Sequence, residues 1–187
     1  ITFKNLSIGY RPKHQLRVIA SAVSASLHPG ELTCLIGANG VGKSTLLRTL
    51  CGFQPALDGE ILLQDQPLSA YPAQQLARQI GVVLTSRIDV PQLSVKEIVG
   101  IGRSPYTNFW GTLTPADQQI VDEAIHQVGI PHLAQRSISE LSDGERQKTM
   151  IAKALAQQTR IIILDEPTAF LDFPSKVETL QMLRRLA

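Results

Sequence analysis

The order of apolar and polar positions divides the chain into segments of two periods. The first 36 residues read as strands: ITFKNLSI alternates polar with apolar residues, and so does part of LRVIASAVSASL. Pro29-Gly30 marks a turn, and ELTCLI after it predicts a short apolar strand. GANGVGKST interrupts that strand with three glycines, and LLRTLCG continues as a helix closed by Gly52. EILLQDQPL predicts another strand, entered through a Leu57-Asp58-Gly59 turn; AQQLARQI predicts a short helix and GVVLT a buried strand. From about Ser86 to Glu140 the texture changes. Pro91, Pro105, Pro115 and Pro131 punctuate helical periodicity in SVKEIVGIG and TPADQQIVDEAIHQVG. Thr114 and Pro115 suit an N-cap and first helical position, with Asp117 in the first turn. A helix through Gln158 follows, then the strand RIIILDE and a last helix, PSKVETLQMLRRLA.

This alternation of strands and helices predicts an α/β fold with a mainly parallel sheet and a helical insertion. A length of 187 residues suggests one domain. Within it, residues 1–85 and 142–187 are expected to form the core with its β-subdomain, and about 86–141 the helical part. Hydrophobic residues make up 43% and charged residues 18%, a globular composition able to build a core. The longest purely aliphatic stretch, Ile161–Leu164, is far short of the ~20 residues of a membrane span. The N-terminus lacks the basic-then-apolar layout of a signal peptide. A net charge of +2 without a run of five like charges gives no reason to expect nucleic acid as the main partner. Cys34 and Cys51 form no CxxC pair; they read as small buried hydrophobes in a reducing compartment, with a disulfide as the alternative.

The chemistry begins at Gly37-Ala38-Asn39-Gly40-Val41-Gly42-Lys43-Ser44, which fits G-x-x-x-x-G-K-[ST] between a predicted strand and a predicted helix. Glycines let the backbone approach an anion closely, and successive N–H groups point into a concave nest. The start of the helix, with Thr45, adds its positive dipole end. Lys43 is a point charge for the β- and γ-phosphates, and the Ser44 hydroxyl is a hard ligand for Mg²⁺. The motif says nucleoside triphosphate without saying which enzyme class.

Arg160 to Glu166 is an apolar strand that ends in two acids, Asp165 and Glu166. Adjacent carboxylates there are costly unless their charge is offset, and Mg²⁺ bound to phosphates offsets it. Asp165 would hold the ion, and Glu166 would polarise a water attacking the γ-phosphate. A solvated acidic turn is the plainer reading. Leu141-Ser142-Asp143-Gly144-Glu145 then opens the next helix. Ser142 and Glu145 form S-x-x-E, a capping box. Gly144 weakens a first turn, which makes sense if something must come close to that backbone.

LSDGE, the helix RQKTMIAKALAQ after it and the strand IIILDEPTAFLD resemble, in content and order, the ATP-binding cassette (ABC) ATPases. The resemblance covers nearly the whole chain. It implies a P-loop NTPase fold with an N-terminal antiparallel β-subdomain, ATP and Mg²⁺ as cofactors, and ATP hydrolysis. It also implies head-to-tail pairing, so that Ser142 and Gly144 of one copy, with Asp143 and Glu145, close on the phosphate held by Lys43 of the other. By match, Tyr10 resembles the aromatic that stacks on adenine; an ordinary half-buried strand tyrosine is the alternative. Asp172 resembles the aspartate that contacts the partner subunit.

Two departures stand out. The family usually places Gln where this chain has Thr85, so no catalytic role falls to Thr85. The family's switch histidine comes after the point where this chain ends; His14, His28, His126 and His132 all lie earlier. Together with the start at Ile1 and the end inside a helical pattern, this leads to the expectation of an incomplete chain with weak ATP turnover.

The stretch GRSPY…FWG…D resembles importer ATPases for iron chelates, haem and cobalamin, iron–siderophore importers above all. That implies membrane permease subunits as partners, a separate substrate-binding protein acting indirectly, and a place at the cytoplasmic face of a bacterial inner membrane. Tyr106, Phe109 and Trp110 have two readings: core packing, or an apolar face that docks a helix of the permease. Soluble ABC ATPases acting on DNA or ribosomes are the other class. No heptads separate the phosphate loop from LSDGE, and two cysteines cannot supply zinc modules.

Overall fold

The computed structural model describes residues 1–11, 15–84 and 92–187, and among these the chain divides into two units, Ile1–Ala73 and Gln74–Leu186. The first is built on an antiparallel sheet of strands β1 (Thr2–Tyr10), β2 (Arg17–Ser26), β3 (Asp58–Leu63) and β4 (Gln66–Pro67), in the order β2-β1-β3-β4. Strict alternation would send Phe3 and Leu6 to opposite faces. Both are buried, as is Ile8, because Asn5 takes a left-handed φ of 49° and shifts the phase of β1 by one residue. Gly59 lies against this bulge: a Cβ on it would come within 2.5 Å of the Asn5 carbonyl oxygen.

EILLQDQPL is two strands, not one. Gln64 and Asp65 both have positive φ, 53° and 60°, and turn β3 back onto β4 in a two-residue hairpin. Such turns usually carry Asn-Gly or Asp-Gly, so this one was invisible in the sequence. ELTCLI also departs from expectation. Residues 31–36 form no strand, and Leu32, Cys34, Leu35 and Ile36 are exposed, Ile36 by 90%. An apolar run states which residues seek burial, but a strand also needs a ladder partner, and none pairs with this run among the described residues. Cys34 is therefore not buried as expected, whereas Cys51 is. Helix α1 (Lys43–Leu50) completes this unit and contacts β1.

The second unit contains α2 (Ala73–Ala77), of which Ala73 belongs to the first, β5 (Ile80–Val83), α3 (Val95–Ile101), α4 (Pro115–Gln127), α5 (Asp143–Ala156), β6 (Ile161–Leu164) and α6 (Phe173–Leu186). β5 and β6 pair in parallel, Ile80 opposite Ile161 through Val83 opposite Leu164. Parallel pairing among the described residues is confined to these two strands, which α3, α4 and α5 connect. Val95, Ile98, Val99, Val121, Ile125 and Ile151 are buried in one shared core. All three helices begin with capping boxes. Ser94 pairs with Glu97, Thr114 with Asp117, and Ser142 with Glu145.

The strongest polar feature of this core is Arg103, 5% exposed. Its Nε donates to Asp117 Oδ1 at 2.9 Å, and its Nη1 donates to the Ala156 carbonyl at 2.9 Å and to Gln158 Oε1 at 3.2 Å. The guanidinium lies 4.1 Å from the centroid of the Tyr106 ring. One side chain thus ties the exit of α3 to the start of α4 and the end of α5. Beside it, a Cβ on Gly102 would come within 2.2 Å of the Lys153 carbonyl oxygen, so only glycine permits this approach of the chain to α5.

Candidate functional site

In the first unit, residues 37–42 form an exposed loop that runs into α1. Gly40 has φ 78° with open space where a Cβ would stand; Gly42, at φ 110°, is the N-cap. A Cβ on Gly42 would meet Ile19 Cγ2 at 2.4 Å, so this glycine serves both conformation and packing. Lys43 Nζ donates to the carbonyls of Gly37 at 2.8 Å and Ala38 at 2.9 Å. The loop also closes on itself where Val41 N–H donates to the Ala38 carbonyl at 3.4 Å. Asn39 is exposed.

Unlike α3, α4 and α5, α1 has no side-chain cap and no acid in its first turn. No carboxylate pairs with Lys43 among the described residues, so cation and helix dipole reinforce one another beside an open glycine cradle. These residues fit a polyphosphate. Thr45 is buried, and its hydroxyl shares a 2.8 Å hydrogen bond with the Tyr10 hydroxyl. Tyr10 is 42% exposed and is tied to α1 through that bond. Ser44 lies one residue inside α1.

In the second unit, Asp165 directly follows β6 and is buried; its N–H donates to the Val83 carbonyl at 2.9 Å, extending the parallel ladder. Glu166 is exposed and left-handed, φ 50°, and its carbonyl accepts from Ala169 N–H at 2.9 Å. A glutamate in this region costs about 1 kcal/mol or more, and such strain gathers at functional positions. Phe170 is left-handed too, φ 63°, and is exposed, as is Phe173.

The turn from Ser142 to Glu145 is built as the S-x-x-E spacing predicts. Glu145 N–H donates to Ser142 Oγ at 3.3 Å, while Ser142 N–H and Oγ–H both donate to Glu145 Oε2 at 2.8 Å. These contacts hold the Glu145 carboxyl below its ordinary range, the Ser142 N–H first and its hydroxyl next, with help from Arg136 and His132. Asp143 is exposed, and the place of a Cβ on Gly144 lies 3.4 Å from Ser175 Oγ. Asp172 stands at the same edge. Its Oδ1 accepts from Ser175 N–H at 3.1 Å, which caps α6; the Ser175 hydroxyl first, and this N–H next, hold the carboxyl below its ordinary range. The structure therefore brings Ser142, Asp143, Gly144 and Glu145 beside the start of α6. The spacing D-x-x-S at Asp172–Ser175 carries this capping role in the sequence.

Thr85 lies outside the described residues. Of the three aromatics with two readings, Tyr106 is half-buried, with the guanidinium groups of Arg78 and Arg103 at 5.0 and 4.1 Å from its ring centroid. Phe109 and Trp110 are 94% and 84% exposed, edge to face at 5.4 Å. No group of three or more His, Cys, Asp or Glu able to hold a metal occurs among the described residues, nor any helix long and apolar enough to cross a membrane.

Residues 20–169 match the profile of the family described as ABC transporter. The chain belongs to this family. An uncharacterised ABC transporter ATP-binding protein of Methanocaldococcus jannaschii is 40% identical over 184 residues, 98% of this chain and 62% of its own length. The ferric enterobactin transport ATP-binding protein of Escherichia coli is 34% identical over 183 residues, 98% of this chain and 66% of its own. Among solved structures, an inward-facing ABC transporter assigned to the metal-chelate type superposes with a TM-score of 0.83 at 31% identity, covering 99% of this chain and 67% of that one. The cassette described here thus spans about two thirds of the length of such relatives, and its mixed α/β fold is that of ABC ATPases.

Proposed function

We propose that this cassette is the nucleotide-binding part of an ATP-hydrolysing subunit that powers an ABC importer for iron–siderophore complexes. The observation that carries the reading is the bare, basic start of α1: Lys43 and the open Gly40 cradle, with no acid in the first turn. The triphosphate would lie along residues 37–42, with Lys43 on its β- and γ-phosphates and Tyr10 against adenine. The N–H groups that open α1, at Ser44 and Thr45, would point at the phosphates. Ser44 and Asp165 would hold Mg²⁺, which neutralises developing phosphate charge when bound. Glu166 would orient and deprotonate the attacking water.

Two cassettes would pair head to tail, so that the Ser142–Glu145 turn and Asp172 of one meet the nucleotide or the loop of its partner. Most of the rate would then come from positioning and charge neutralisation. Closure would drive membrane permease subunits, for which the exposed Phe109–Trp110 pair is a docking element, at the cytoplasmic face of a bacterial membrane. A substrate-binding protein would deliver the iron complex. The ferric enterobactin relative supports this cargo over haem or cobalamin, and the metal-chelate-type neighbour is compatible with all three.

In the full-length protein, Glu166→Gln is expected to trap ATP in a stable dimer with little turnover, and Lys43→Ala to lose nucleotide affinity. A Glu166→Gln variant that stays monomeric in Mg·ATP and hydrolyses normally would refute the assignment. Radiolabelled ferric siderophore uptake, lost on deletion and restored by the native gene but not by Glu166→Gln, tests the cargo.

A further inference from the structure

Four helices of this cassette start in one of two ways. α3, α4 and α5 each carry an acidic capping box, whereas α1, which follows the phosphate loop, begins at Gly42 with no side-chain cap and no acid in its first turn. The start of α5 is in consequence already satisfied. Asp143 and Glu145 occupy its first turn, opposing the positive end of its dipole. The single proton of the Ser142 hydroxyl goes to Glu145 Oε2 at 2.8 Å, a charge-assisted bond and so stronger than a neutral one. The same geometry recurs at Ser94–Glu97, where Oγ to Oε2 is 2.6 Å, so the box needs no ligand to form.

We propose that Glu145 is a positioning residue that restrains ATP-driven pairing: its carboxylate withholds the Ser142 O–H from the incoming phosphate and, with Asp143, repels it. This rests on the reading that Ser142 meets the nucleotide bound by a partner copy. A phosphate approaching this turn must compete with Glu145 for one O–H and approach two like charges, against the attraction of Arg136 and His132 nearby. Neutralising one such charge at contact range in a partly screened setting changes an equilibrium about three- to tenfold. The weakness has a use: a sandwich that reopens readily after hydrolysis cycles faster than one that stays shut.

The test is Glu145→Gln in the full-length protein. The amide oxygen of Gln can accept the same two hydrogen bonds, so the start of α5 and the thermal midpoint are expected to be retained. Sedimentation velocity at fixed ionic strength across a Mg·ATP series should show half-maximal dimer at about three- to tenfold lower nucleotide. The ATPase KM should fall with it, without a rise in kcat. Adding Ser142→Ala should remove the share of that gain that runs through the released O–H and leave the share that comes from the lost charge. Unchanged or weaker pairing in Glu145→Gln, with the midpoint retained, overturns the proposal. Should Ser142→Ala leave the pairing of Glu145→Gln untouched while Lys43→Ala abolishes nucleotide binding, the underlying placement of Ser142 fails instead, and the proposal with it.

Discussion

Replacing Arg103 with methionine tests how the second unit is held together. Methionine matches much of the aliphatic stem and removes the guanidinium, which bonds Asp117, the Ala156 carbonyl and Gln158 and covers the Tyr106 ring. Both members of the ion pair are buried, so the change leaves a carboxylate without its counter-charge. Breaking such a pair from one side costs about 3–5 kcal/mol. Thr114 still donates its N–H and hydroxyl to Asp117 Oδ2, at 3.0 and 2.6 Å, which places the expectation at the lower end, about 3 kcal/mol. Urea unfolding of native protein, Arg103→Met, Asp117→Asn and the double variant forms a complete cycle. The double variant should cost less than the two single changes together, by about 1–3 kcal/mol. The pH dependence supplies a second reading. The Thr114 hydroxyl, then its N–H, then Arg103 hold the Asp117 carboxyl below its ordinary value. A depressed folded pKa gives stability that is present above the unfolded carboxyl pKa and lost as pH falls through the folded one. Asp117→Asn should therefore flatten the acid limb of the stability curve below about pH 4. A loss under about 1 kcal/mol in Arg103→Met at neutral pH, with additive single changes, would refute the strut.

Glycine substitutions separate packing from chemistry. Gly102→Ala must push a backbone carbonyl of α5 aside and should cost about 3 kcal/mol in the same assay, with no direct effect on nucleotide affinity. Gly40→Ala meets open space and should cost only about 1 kcal/mol through its φ of 78°, yet weaken ATP binding measured by calorimetry. Gly42→Ala, facing Ile19, should lose both. Phe109→Ser with Trp110→Ser should shift stability by no more than about 0.5 kcal/mol while reducing co-purification with membrane permease subunits.

Helix starts were legible because their signals are local: Thr114 with Asp117 and Ser142 with Glu145 state their partner within three residues, and both boxes are present. The glycine loop that runs into α1 was legible for the same reason, though not the strand expected before it. What the sequence hid was non-local or carried by the wrong residue type. The Gln64–Asp65 turn uses positive φ without glycine or asparagine, so EILLQDQPL reads as one strand. The bulge at Asn5 makes Phe3 and Leu6 share a face that alternation would separate. Residues 31–36 seek burial by composition, yet pairing depends on segments far away in the chain. Arg103 stood in a stretch read only for its likeness to relatives; nothing near it announces that Asp117 and Ala156 meet it.

The left-handed backbone at Glu166 bears on how this cassette would fare in laboratory evolution. Glycine or asparagine relieves a positive φ, so a library sorted for heat resistance alone should enrich exactly one substitution class there, the class that discards the proposed base. Screens for robust variants would need a turnover gate, or they would return sturdy proteins that no longer burn ATP.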